Sequence, residues 1–460
     1  MRLLHAPSKI RFGFDDPNLV SVAGLVPVMA LAERCGLGRL AGRLLTVPGS
    51  AGANAAVKVS AIVAGMVAGA DSIDDLDLLR HGAMGRLFAG IRAPSTLGTF
   101  LRALAWGHVR QLEKVTRMVT AALPGQAPVL PDVSTFALVD ADSTVRRVFG
   151  YAKQGASYGY TKVKGLHPLL ATLCTRTGAP LVVATRLREG RAAAARGAGS
   201  FVAEALAAAR QAGATGLILF RADAAFYCAE VVAACRRAGA HFSITVRLNP
   251  AIHRAIASID DDAWIPIRYP HAVWDDDEGR YISDAEVAEV AYTAFTGRRK
   301  AEQVPGRLLV RRVRRLNPVT VPQGQGELFA TYRYHAAFTD STLTLVEAEA
   351  THRGHAIVEQ VIADLKNSAL AHLPSGRFTA NAAWLTLAAL AFNLTRAAGA
   401  LASRTHAKAT TSTIRRQLIA VPARASISAR IQTLHLPADW PWHNAATALL
   451  ASLHAPPTTA

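Results

Sequence analysis

The sequence predicts an α/β core, preceded by an all-helical N-terminal domain and interrupted by a β-rich insertion. Three observations carry this reading. Residues from Thr135 to about 248 alternate strand-like and helix-like runs. Residues before about 128 repeat apolar positions at helical spacing. From about Asn249 to Leu345 the alternation gives way to aromatics, short β-like runs and acidic turns.

In chain order, LVSVAGLVPVMALAERCGLGRL and KVSAIVAGMVAGADSIDDLDLLRHG read as helical, separated by the turn-rich VPGSAGAN. STLGTFLRALAWGHVRQLEKVTRMVTAAL follows, with Ser95 or Thr96 after Pro94 as the expected helix cap. LPGQAPVLPD, with three prolines, reads as a linker. TFALVDAD and LVVATRL read as strands. FVAEALAAARQAG reads as a helix, GLILFRAD as a strand, AAFYCAEVVAACRRAG as a helix and HFSITVRL as a strand. Within the insertion, RLLVRRVRRL, GELFATYRYHAAF and STLTLVEAEA are β-like. Helical signals return from Thr351 and run to about Ser403. In the tail, IAVPARASISARIQTLHLP has hairpin-like alternation, before DWPW and a short amphipathic end. The expected divisions are therefore 1–128, 129–248, 249–345, 346–403 and a basic C-terminal segment, 404–460.

The 460 residues carry 51 Lys+Arg against 33 Asp+Glu, a formal charge of +18, and are 51% hydrophobic. So apolar a chain can build a core, which excludes wholesale disorder. The basic excess favours a polyanionic partner, either nucleic acid or an acidic membrane surface. Cys35, Cys174, Cys228 and Cys235 are too few and too scattered for a disulfide framework and contain no Cys-x-x-Cys pair. They suit a reducing cytoplasm. MRLLHAPSKIRFGFDD lacks the apolar run of a signal peptide. The uncharged stretch FTANAAWLTLAALAFNLT, Phe378 to Thr395, is just long enough to raise the question of a membrane span. Its asparagines and threonines make a buried helix the better reading.

Three acidic positions stand out. Period-two alternation in TFALVDADST puts Phe136, Leu138, Asp140 and Asp142 on one strand face. Two carboxylates there are costly to bury unpaired unless a cation joins them, although a strand that simply ends in solvent would explain them too. Asp223 ends the apolar run GLILFRAD and precedes a helix, where it could be a helix cap or a site residue. In HRGHAIVEQVIADLKN, an uninterrupted helix places His352, His355, Glu359 and Lys366 within an arc of about 60°. This arc flanks the buried stripe of Ile357, Val358, Val361, Ile362 and Leu365. Such an arc is commonly a solvated face. Together the three segments offer what a two-metal site needs: carboxylate oxygens for Mg²⁺, beside an anionic phosphodiester.

The segments VDADSTVRRVFGYAKQGASYGYTKVKGLHPLLA, LFRADAAFYCAEVV, HRGHAIVEQVIADLKN and VPARASISARIQTLHLPADWPW, with the N-terminal APSTLGTFLRALAWGHVRQLE, carry a family resemblance over nearly the whole chain. The sequence resembles bacterial insertion-sequence transposases of the Asp-Asp-Glu (DDE) type, in the IS-thirteen-eighty-like branch. Related families place their glutamate in a Tyr-x2-Arg-x3-Glu-x6-Lys signature. Here the same spacing reads His352-x2-His355-x3-Glu359-x6-Lys366. The resemblance implies a ribonuclease-H-like core with the β-rich insertion between the second Asp and the Glu. It implies Asp142, followed by Ser143 and Thr144, as first metal ligand, with Asp140 as ligand or support, and Asp223 and Glu359 as the others. Two Mg²⁺ ions, replaceable by Mn²⁺, would be held there. His352, Arg353, His355 and Lys366 would meet DNA phosphate. The reaction implied is cut-and-paste: water nicks the element end, and the freed 3′-hydroxyl attacks target DNA. Partners would be the inverted-repeat ends and target DNA, bound by a homodimer, with no membrane. The helix from about Leu97 to Val119 would read the repeats.

The run RRKAEQVPGRLLVRRVRRLNP adds Arg298, Arg299, Lys300, Arg307, Arg311, Arg312, Arg314 and Arg315. It is either a solvated charge run or a DNA-backbone surface. Trp264 and Trp274 are core residues or stacking platforms for unpaired bases. Asp260-Asp261-Asp262 and Asp275-Asp276-Asp277 lack calcium-loop spacing and read as surface turns. His352 and His355 lack a third zinc ligand nearby. Two rivals share the core: a two-metal nuclease without strand transfer, and a catalytically degenerate DNA-binding protein.

Overall fold

The computed structural model describes residues 4–159, 161–193, 195–269, 274–275, 280–281, 285–314 and 332–453. The chain divides into two compact units. One comprises Met1–Val129, Arg146–Ala156 and Ala363–Ala460; the other comprises Leu130–Val145 and Ser157–Ile362.

The N-terminal region is helical, as its spacing predicts: α1 (Leu25–Arg34), α2 (Leu37–Leu44), α3 (Ala55–Ala68), α4 (Pro94–Ala103) and α5 (Trp106–Ala122). The expected Leu97–Val119 helix is two helices. Leu104 and Ala105 are extended, and the Ala105 amide donates to His108 Nδ1 at 3.0 Å, which starts α5. Neither Ser95 nor Thr96 caps α4. Pro94 occupies its first turn after Ala93, where a missing N–H costs nothing and the fixed φ suits the helix. The proline-rich stretch after α5 is packed: Leu123, Ala127, Val129 and Leu130 are buried.

Among the described residues, the second unit is built on a nine-stranded mixed sheet. Its first five strands are β1 (Phe136–Ser143), β2 (Leu169–Cys174), β3 (Leu181–Arg186), β4 (Leu217–Ala222) and β5 (His241–Val246). Strands β1, β2 and β3 form an antiparallel meander. Helix α6 (Ala198–Gln211) then carries the chain over to β4, which pairs parallel with β1. Helix α7 (Ala229–Arg237) leads to β5, parallel with β4. The predicted Ala224 start of that helix is instead a 3-10 turn, Ala224–Phe226, so α7 begins later. Strands β1 and β4 are buried along most of their length, and each opens on four apolar residues, Phe136–Val139 and Leu217–Phe220, as central strands do. Helix α6 packs on β1, β2 and β3. Gly199 lets α6 approach α7 closely: a Cβ there would lie 2.8 Å from the Glu230 carbonyl oxygen.

The stretch 249–345 contributes helix α8 (Pro250–Ala257) and strands β6 (Ile265–Ile267), β7 (Ala285–Ala294), β8 (Val304–Arg314) and β9 (Tyr332–Thr339). It extends the same sheet, because β9 pairs antiparallel with β5. The full order is β6-β7-β8-β9-β5-β4-β1-β2-β3. STLTLVEAEA is not a strand. Helix α9 (Leu345–Arg353) begins within it and packs on β7 and β8; its Glu and Ala residues favour helix over strand. After a 3-10 turn, Gly354–Ala356, comes α10 (Ile357–Lys366). The mixed α/β arrangement, a large sheet with helices, is compatible with a ribonuclease-H-like core.

In the first unit, α11 (Phe378–Ala402) is the central element, packed against α3, α4 and α5. It is the one helix among the described residues long and apolar enough to cross a membrane, and 89% of its apolar window is buried inside the molecule. Its polar groups have protein partners. Asn381 exchanges hydrogen bonds with the Ser375 backbone at 2.8 and 2.9 Å, and Trp384 Nε1 donates to the Ala369 carbonyl at 2.7 Å. The tail forms the expected hairpin, Ala423–Ser428 with Ile431–His435, turning at Ala429 and Arg430, whose φ angles are positive. Leu19–Val20 adds a third strand to it.

Candidate active site

The site is assembled where β1 and β4 end side by side. In their parallel register Asp140 stands opposite Arg221, and Ala141 opposite Ala222. Continuing that register by one step brings Asp142 and Asp223 to neighbouring strand ends. On the same face, Leu138 of β1, Leu219 of β4 and Cys174 of β2 form an apolar patch, and Ile357, the first residue of α10, packs on it. That contact brings the first turn of α10, which carries Glu359, over the face on which the aspartates lie.

The two aspartates of β1 differ sharply despite sharing a face. Asp140 is fully buried. Arg221 grips both its oxygens, with Nε donating to Oδ1 at 2.6 Å and Nη2 to Oδ2 at 2.7 Å. His355 Nδ1 lies 3.3 Å from Oδ1. Burial, the largest influence on Asp140, would raise its pKa; the Arg221 charge and the bonds from His355 and Arg221 outweigh it and hold the carboxyl below its ordinary value. Removing one partner from such a buried pair typically costs about 3–5 kcal/mol. Asp142 is half-buried, and one carboxylate oxygen accepts from the Ser143 amide at 2.6 Å. Burial pushes its pKa up to about 6; the carboxylates of Asp223 and Glu359 add to the rise, against opposition from the Ser143 bond and His355.

Asp223 follows β4 and caps the 3-10 turn, accepting from the Ala225 amide at 3.1 Å. Burial raises its pKa as well; Glu359 contributes, and the Ala225 bond, His355 and Arg247 oppose. Glu359 is exposed. The three carboxylates therefore feel one another electrostatically. Burial and mutual repulsion disfavour charge on Asp142 and Asp223, and a divalent cation would relieve both. By donor chemistry the three fit a hard cation. Among the described residues, no three His, Cys, Asp or Glu side chains are gathered tightly enough to enclose an ion as they stand.

The uninterrupted helix expected over His352–Lys366 is broken by the Gly354–Ala356 turn, so the 60° arc does not hold. His352 ends up in α9, between hydroxyls of β5: its Nδ1 is 2.9 Å from Ser243 Oγ and its Nε2 is 3.1 Å from Thr245 Oγ1. Burial, then the charges of His355, Arg221 and Arg311, push its pKa down to about 3. His355 instead turns to Asp140. Lys366 closes α10, seven residues beyond Glu359. Arg221 was not singled out by the sequence; its place two residues before Asp223, matching Asp140 two before Asp142, is the signal that could have found it.

Much of the basic run is spent within the protein. Arg298 pairs with Glu230 at 2.9 Å, Arg311 with Glu349 at 2.9 Å, and Arg312 with Glu286 at 2.5 Å; Arg307 pairs with Glu289. Arg312 also lies over Trp264 and Tyr332, at 4.2 and 4.5 Å from their ring centres. Arg353 pairs with Glu349 and covers the Tyr269 ring. Arg299 and Lys300 are exposed. Arg314 ends β8, and Arg315 lies outside the described residues, as do Asp276 and Asp277. Trp264 is buried and Trp274 exposed.

The chain matches the family described as transposase DDE domain group 1 over residues 4–458. It belongs to that family. The transposase is therefore an enzyme that acts on DNA phosphodiester bonds, and DNA is its partner. No curated protein matches the transposase.

Proposed function

We propose that this transposase catalyses cut-and-paste cleavage and strand transfer at inverted-repeat ends, with Asp142, Asp223 and Glu359 as its three acids. The observation that supports it best is their shared location: two adjacent strand ends, with the helix bearing the glutamate packed on the same face. Two Mg²⁺ ions, replaceable by Mn²⁺, fit these acids, and when bound they supply charge stabilisation to the attacking and leaving oxygens of phosphoryl transfer. The protein's own contribution is placement. The parallel register sets the two aspartates side by side, and the Ser143 and Ala225 amides orient their carboxylates. His355 contributes positive potential beside them when protonated. Lys366 and the exposed Arg299 and Lys300 contact DNA phosphate, and α4 with α5 binds the terminal repeats. The IS-thirteen-eighty-like branch, a homodimer on paired ends and a cytoplasmic, nucleoid-associated location belong to the same reading.

The test is a cleavage assay on DNA flanking the gene's own locus, in Mg²⁺ or EDTA, with wild type and Glu359→Ala. Metal-dependent cuts at an inverted-repeat boundary, absent in the variant, support the proposal. Cutting without joining of the 3′ end to target DNA would instead indicate a nuclease. Tight binding without cutting would indicate a degenerate, DNA-binding relative.

A further inference from the structure

One side chain joins β4 and β1, which carry the two aspartates, to the end of α9, from which the chain turns into α10 and Glu359. Arg221 lies on β4 and holds Asp140 of β1 with two of its nitrogens. Its third nitrogen, Nη1, donates to the Thr351 carbonyl near the end of α9. Gly354, which opens the turn between α9 and α10, sits against that nitrogen: a Cβ there would lie 2.9 Å from Nη1. His355, the next residue, reaches Asp140. Glu359 follows four residues later.

We propose that Arg221 is a positioning residue that, through Asp140 and Thr351, sets where Glu359 stands relative to Asp142 and Asp223, and that Asp140 serves this arginine and is not a metal ligand. The inference rests on the transposase reading for the roles of the three acids. On this face α10 is also held by Ile357 against an apolar patch, and apolar contact is non-directional. A bidentate arginine–carboxylate pair has a fixed geometry. Asp140 is fully buried with both oxygens committed to that pair, so reaching a cation would require breaking it.

The experiment is a mutant cycle on the full chain, read by Mn²⁺ affinity in direct titration. It combines Glu359→Gln with the pair Asp140→Leu and Arg221→Met, which removes both buried charges together. If Arg221 positions Glu359, the charge-pair variant loses about as much Mn²⁺ affinity as Glu359→Gln, roughly tenfold, and combining the two adds little. Unchanged affinity in the charge-pair variant would overturn the proposal, because the pair would then be structural only. Full additivity would overturn it too, making Asp140 a ligand in its own right. Should the charge-pair variant fail to fold, Gly354→Ala takes its place in the cycle. It pushes on Nη1 without changing any charge and should weaken Mn²⁺ binding by a few-fold, non-additively with Glu359→Gln. Wild-type affinity in Gly354→Ala overturns the proposal. Strand cleavage is assayed separately on the locus duplex: a wild type that never cuts sinks the transposase reading, while the Mn²⁺ cycle still judges the positioning.

Discussion

Asp140 and Asp142 are two residues apart on one strand face, yet they live in opposite environments. Asp140 has a buried guanidinium against both oxygens; Asp142 has one amide, partial burial and two carboxylates for neighbours. Their chemistry should separate accordingly. Asp223→Asn and Glu359→Gln should each lower metal-dependent strand cleavage by at least about 10³-fold while leaving duplex binding within about twofold. Loss of binding in either variant would make those residues structural. The raised pKa of Asp142 also predicts a pH dependence. With Asp142 as the proposed metal ligand, binding requires its carboxylate, so Mn²⁺ affinity should fall about tenfold per pH unit below pH 6 and level off above pH 7. Without metal the sign for stability is the reverse. The folded state holds this proton more tightly than the unfolded state. The resulting stabilisation is complete below the ordinary carboxyl value and is lost as pH rises through about 6. In EDTA, Asp142→Asn should therefore melt a few degrees above wild type at pH 8 and show no such gain at pH 4.

At the scale of elements, the periodic apolar patterns located most helices and strands, and the departures have local causes. The Gly354–Ala356 3-10 turn divides what the pattern joined, at the one glycine of HRGHAIVEQVIADLKN. The Leu104–Ala105 break divides α4 from α5, because the extended backbone there ends one helix and His108 caps the start of the next. Helix α11 resolves the membrane question by packing: it is surrounded by other helices, and its polar groups bond within the protein. Asn381→Ala should test this. It leaves the amide and carbonyl of buried Ser375 without their partner, at a cost of about 1–3 kcal/mol, read as a lowered melting temperature. A melting temperature equal to wild type would mean those groups find other partners.

For the molecule as a whole, a formal charge of +18 implies DNA binding that weakens steeply with salt. Affinity for a duplex should fall by about 10³-fold or more between 50 and 200 mM salt if six or more phosphates are neutralised. Within that, position decides which cations count. The double substitution Arg299→Gln with Lys300→Gln should reduce the log–log salt slope by about two. Arg312→Gln should leave the slope alone and lower the melting temperature, because Arg312 is committed to Glu286 and to two aromatic rings. The sequence by itself determined the alternating core, the helical N-terminal region, the three acidic positions and the basic excess, because each is written in local spacing or composition. Its period-two pattern alone did not separate the surroundings of Asp140 and Asp142, since both fall on one face. Nor could it say which arginines are free, since a charge run looks the same with or without partners. Only the tertiary structure set these apart, by bringing Arg221 into register opposite Asp140 and glutamates from other elements against Arg298, Arg311 and Arg312. The physical reason is that a charge's fate depends on neighbours contributed by other strands and helices, and those are set by pairing register and packing.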